Sequence, residues 1–158
     1  MQSLINKLAQ ESPFFCSEIH GFKHWQQVEK YALHIAQFNQ ANKQVLSLFA
    51  YLHDCKRENE SIDPNHGIRA AEYAYSLYKQ KSINQYMQIE TDEFDLLYYA
   101  LKWHNHDTVS QDETISTCWD ADRLELPRVG ININPAYLTN QTAKEIANQS
   151  QTSFFDFR

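Results

Sequence analysis

The chain predicts an all-α fold, and three observations carry that prediction. Helical periodicity recurs along nearly its whole length, while sustained two-residue alternation is almost absent. Only three glycines and four prolines interrupt 158 residues. Aromatic side chains make up 13% of them, enough bulk to fill a core between helices. The length suits one domain, 1–158, and no low-complexity stretch, repeat or linker divides it.

A first short helix is expected from Gln2 to Gln10, and Ser12-Pro13 ends it because proline pushes the preceding residue out of helical geometry. A second runs from Gly21 to about Asn39, with Val28, Tyr31 and Ile35 on one face and His24 one turn ahead of them. A third follows Asn42, where Leu46, Phe49 and Ala50 lead to His53. The polar loop KRENESIDPN then reaches a helix from His66-Gly67 to near Lys81. The fifth helix, with Thr91 or Asp92 as N-cap, aligns Phe94, Leu97, Leu101 and His104. A sixth starts near Asp112 and carries Ile115, Cys118, Trp119 and Asp122 on one stripe. Beyond Pro127 the chain loosens, Gly130 permits a turn, and Thr142–Gln149 forms a last helical stretch.

The net charge of −6 and pI near 5.6 repel a phosphate backbone, so a nucleic-acid polymer is not an expected partner. Cys16, Cys55 and Cys118 form no CxxC pair and indicate neither a zinc ribbon nor a disulfide framework. The start MQSLINKLAQES lacks a secretory pattern, and VLSLFAYL is too short to cross a bilayer. No membrane association is expected, and a cytoplasmic location is.

The chemistry lies in where the ionisable residues fall. His24, His53, His104 and Asp122 occupy the apolar stripes of four different helices, and such stripes converge in a bundle core. A lone buried histidine is usually a core residue bonded to a carbonyl. Four on four helices, with Asp54 beside His53, suggest a shared cation that offsets the cost of burying carboxylates.

These residues resemble the HD-domain superfamily of metal-dependent phosphohydrolases. The motifs are HGFKHWQQV at 20–28, FAYLHDCKR at 49–57 and CWDADRLEL at 118–126, extended by DPNHG at 63–67, ALKWHN at 100–105 and RVGI at 128–131. The resemblance implies a helical domain of that type, with His24, His53, Asp54 and Asp122 as ligands of one or two divalent ions. It also implies His66 and His104 as further ligands or proton relays. Mixed N/O ligation suits Mn, Fe, Ni, Co or Zn. Asp122 is preferred to Asp120 as the last ligand because Ala-Asp-Arg-Leu matches the closing motif, leaving Asp120 to a supporting, capping or solvated role.

The implied reaction is hydrolysis of a phosphomonoester or phosphodiester in a small phosphorylated compound, a nucleotide first of all. Asp54 would bridge the ions, and His104 or His66 would handle a proton. Arg57, Arg123 and Lys56 are candidates for gripping phosphate, with Arg128 behind them; each has a plain ion-pair reading as well. Trp25, Trp103 and Trp119 adjoin motif residues and are expected to wall the pocket, and Cys55 is expected to point elsewhere. His34 is expected to pack in the core, His106 to meet solvent, and His20 is open between supporting a ligand and no role. A homodimer through Tyr98, Tyr99 or the FFDF tail is conceivable. The alternatives are a non-catalytic nucleotide- or metal-binding module, a di-iron oxygenase on the same fold, and a metal-free scaffold.

Overall fold

The computed structural model describes residues 1–80, 85–86, 88–107 and 109–155, the side chains of 150–155 excepted. Among them regular structure is entirely helical: α1 (Gln2–Glu11), α2 (Phe22–Ile35), α3 (Lys43–Leu52), α4 (His66–Lys79), α5 (Thr91–Trp103), α6 (Glu113–Arg123) and α7 (Gln141–Phe155), with 3-10 turns at Leu126–Val129 and Pro135–Tyr137.

The central element is α3. Every residue from Val45 to Leu52 is buried, so this helix is covered all round and must be enclosed by others. It touches α2, α4, α5 and α6, while α4 packs along α5 and α2 along α6. The main core joins Leu4 and Leu8 of α1 to Trp25, Phe49, Leu97, Leu101 and Trp119. A smaller apolar group of Ile35, Leu124, Ile133, Leu138, Ala143 and Ala147 seats the last helix against the ends of α2 and α6.

Helix starts follow local side-chain chemistry. Asn42 and Asp112 accept two backbone N–H groups each, at the first turns of α3 and α6. The cap of α5 is Glu90, neither Thr91 nor Asp92: Glu90 and Glu93 bond each other's backbone N–H in a reciprocal box. Glu93 also accepts a 2.6 Å bond from Asn42 Nδ2, coupling the starts of α3 and α5.

Three further expectations are corrected. The second helix stops at Ile35 rather than Asn39, because Gln37 and Phe38 close i→i+3 bonds. Asn39 then turns inward, giving 2.9 Å hydrogen bonds to Thr117 and Asn140. His34 is exposed, with its ring edge-on to Phe38, so it does not pack in the core. The last helix runs well past Gln149, to Phe155. The expected end of α4 near Lys81 falls outside the described residues, and the helix is closed by Gln80. Tyr99 is exposed and Tyr98 half-buried, while the side chains of the FFDF tail also lie outside the described residues.

Candidate metal centre

Five helix ends meet at one place. His24 lies in the first turn of α2, His53 and Asp54 just past α3, His66 at the start of α4, His104 just past α5 and Asp122 in the last turn of α6. All are buried except Asp122, which is half-buried.

Two triads result: His24, His53 and Asp122, and Asp54, His66 and His104. In the first, the Nε2 atoms of His24 and His53 are 3.0 Å apart and lie 3.4 and 3.6 Å from Asp122 Oδ1. In the second, the Nε2 atoms of His66 and His104 are 2.8 Å apart, and His66 Nε2 is 3.3 Å from Asp54 Oδ1. Asp54 joins the two. Its Oδ2 is 3.8 Å from both His24 Nε2 and His53 Nε2, so its two oxygens face different triads.

The outer nitrogens decide which way the lone pairs point. His53 Nδ1 donates to the Ala50 carbonyl at 2.9 Å, His104 Nδ1 to Leu101 at 2.7 Å, and His66 Nδ1 to Asp63. Each neutral ring therefore turns an unprotonated Nε2 inward, the arrangement metal-ligating histidines require. Facing lone pairs at such distances repel unless a cation or proton lies among them. His24 departs from the pattern: its buried Nδ1 has no hydrogen-bond partner, and the Glu125 carboxylate sits 3.6 Å away.

Electrostatics favour His53, His104, Asp54 and Asp122 in their binding-ready forms, and His24 in its protonated one. Burial pushes His53 down to about 4 and, with His66 and His53 nearby, His104 down to about 3, so both are neutral near pH 7. Burial would raise Asp54, but His53, His20 and His66 outweigh it and hold the carboxyl well below its ordinary range. Asp122 is likewise lowered against its burial, chiefly by His24. For His24 itself, burial is outweighed by the Asp122 and Glu125 carboxylates, which raise its pKa.

Around the triads lies a cleft of about 400 Å³, whose lining includes His20, Arg57, Arg123 and Arg128 together with Leu126, Val129 and Ile131. Within that lining Arg57 is held by three bonds: its guanidinium donates to Asp54 Oδ1 at 3.4 Å, Ser61 O at 2.7 Å and Asn59 O at 3.3 Å. It positions Asp54 while remaining part of the cleft lining. Arg123 donates to the carbonyls of Tyr137 and Asp107, and Arg128 to those of Ile19 and Glu125. Those bonds hold the two guanidiniums in place.

Lys56 does not belong to the site. Its ammonium lies 4.0 Å above the Tyr73 ring and 3.4 Å from the Glu11 carbonyl, over a different groove. The tryptophans do not line the cleft either. Trp25 and Trp119 are buried behind it, donating to the carbonyls of His20 and Ala100, and so brace the loops and helices that carry the ligands. Asp120 is fully buried and accepts from the Thr139 and Asn140 backbone N–H groups and the Asn140 side chain, clamping the tail. Cys55 is buried, and burial raises its thiol pKa. His106 is exposed and bonded to the Pro64 carbonyl.

The open question of His20 has a geometric answer. Its Nδ1 lies 3.1 Å from Asp54 Oδ2 and its Nε2 3.2 Å from the Glu60 carbonyl, so it braces the shared carboxylate from the side opposite Arg57. Glu125, Asp63 and Arg57 complete this supporting layer. From the sequence Arg57 is a candidate phosphate ligand, and Asp63 and Glu125 are readable only as ion-pair partners for the basic residues. Glu125 follows Asp122 by three residues, which in principle marked it as sharing that helix face.

No protein family and no curated protein sequence matches the chain. Among solved structures, it superposes on one from an uncultured Thermotogales bacterium, described as a predicted HD superfamily hydrolase, with a TM-score of 0.76. The match covers 99% of this chain and 88% of that one at 22% identity. The resemblance carried by the motifs therefore extends to the architecture: the chain is built on the fold of the HD superfamily.

Proposed function

We propose that the protein is a metal-dependent phosphohydrolase acting on a small phosphorylated compound, a nucleotide in the first instance. The observation that carries this reading is the division of Asp54, one oxygen toward His24 and His53 and the other toward His66. His24, His53, Asp122 and Asp54 would hold one divalent ion, and His66, His104 and Asp54 a second. The N/O donor set suits Mn²⁺, Fe²⁺, Ni²⁺, Co²⁺ or Zn²⁺. Cations in such a place supply Lewis acidity, which acidifies water and offsets charge on phosphoryl oxygens.

The protein's own groups do the rest. Carbonyl bonds to His53, His66 and His104 lock their tautomers, and His20 with Arg57 fixes the angle of Asp54. With Nδ1 committed to the main chain and Nε2 directed inward, His66 and His104 serve as ligands rather than as proton relays. Arg123 and Arg128 present fixed positive charge along the cleft, where an otherwise acidic protein must attract an anion. The size of the cleft suits a small molecule rather than a polymer.

The test is direct. Protein supplemented with Mn²⁺, Co²⁺ or Ni²⁺ is expected to hydrolyse an aryl phosphate or members of a nucleotide panel, and Asp54→Ala to abolish turnover. Activity surviving that substitution would overturn the assignment.

A further inference from the structure

The cleft lining is chemically mixed, and its apolar part comes from one short segment. The 3-10 turn Leu126–Val129 ends at Gly130, whose φ of 78° is left-handed and easy for glycine. That residue reverses the chain, so Ile131 N–H bonds back to the Leu126 carbonyl at 3.2 Å. Leu126, Val129 and Ile131 thereby line the cleft together, with Arg128 in the same turn. Two residues later Ile133 enters the small core, yet Val129 and Ile131 remain 37% and 52% exposed. Arg128 Nε bonds the Ile19 carbonyl at 2.7 Å, which holds the turn against the loop before α2. An anchored apolar shelf beside a cationic wall is complementary to a molecule with an anionic end and an apolar face.

We infer that the Leu126–Ile131 turn is the specificity element of the site, selecting phosphate esters whose organic group presents an apolar, flat face over those of small polyhydroxylated alcohols. The inference rests on the phosphate-ester reading above. The phosphoryl group lies toward the histidine and aspartate cluster, and the organic group lies on Val129 and Ile131, which are already dehydrated on their inner sides.

The experiment compares two non-hydrolysable probes, phenylphosphonate and methylphosphonate, binding to Mn²⁺-supplemented protein by calorimetry. The parent protein is expected to prefer the phenyl probe by about tenfold, the yield of burying roughly 60 Å² of apolar surface. In the double variant Val129→Ser/Ile131→Ser that ratio is expected to fall toward one. Ile131→Ser alone, at an exposed position, gives an intermediate ratio and guards against misfolding of the double variant. Equal binding of the two probes by the parent, or a preference that survives both substitutions, overturns the inference while leaving the phosphate reading intact. Failure of both probes to bind, together with no turnover of any phosphate ester, overturns the two together.

Discussion

His20 occupies a position that motif spacing left undecided, and its contacts give it a measurable task. Because it steadies Asp54 Oδ2 at 3.1 Å, removing it leaves the shared carboxylate free to rotate. His20→Ala is expected to weaken Mn²⁺ binding about 10- to 100-fold by titration calorimetry, with little change in the melting temperature of chelated protein. Unchanged affinity would make His20 a bystander. Asp63 acts one step further out. Its carboxylate accepts from Glu58 N–H at 2.8 Å and from Arg69, while its carbonyl holds His66 Nδ1. Burial raises its pKa, but Arg69 and the Glu58 N–H outweigh that and lower it. A lowered folded-state pKa contributes stability above the unfolded value near 4, lost as pH falls through the folded one. Asp63→Asn should therefore cost about 1–2 kcal/mol in denaturant titrations at pH 7, with the gap to the parent closing at acid pH.

At the scale of elements, the site depends on how closely helix ends approach. Gly67 is the clearest case. A Cβ there would lie 2.7 Å from the Leu101 carbonyl and Asn105 Oδ1, and 3.1 Å from the His104 ring. Gly67→Ala must push α4 away from α5 where His66 faces His104. The expected result is a loss of about 1–3 kcal/mol in stability, together with a lower Mn²⁺ stoichiometry by elemental analysis. Full stoichiometry in a folded Gly67→Ala protein would show that the second triad does not need this contact. Asn42 joins two helix starts, capping α3 and donating to Glu93 of the α5 box. Asn42→Ala is expected to cost about 1–2 kcal/mol by chemical denaturation, more than a solitary cap would.

For the whole molecule, the candidate centre is a junction of five helices, so a bound ion should tie the bundle together. At a hundredfold excess over its dissociation constant, a ligand specific for the folded state adds about 2.7 kcal/mol. For a chain of this size Mn²⁺ should then raise the melting temperature by about 5–10 °C, and His53→Ala should remove most of that rise. Calorimetric scans with metal and with chelator check it.

What the sequence determined by itself was local and periodic. The stripe through Leu97, Leu101 and His104 and the helix starts after Asn42 and near Asp112 depend on neighbours a few residues away, so α3, α5 and α6 were legible, with His53 and His104 one residue past α3 and α5 and Asp122 in the last turn of α6. Tertiary structure decided what depends on distant partners. Asn39, beyond the end of α2, turns inward because Thr117 and Asn140 receive its side chain. Lys56 leaves the site for Tyr73, and Arg57 donates to Asp54 from within the cleft lining. Side chains with long, flexible arms take whichever partner the packed helices bring within reach, and no spacing along the chain encodes that choice.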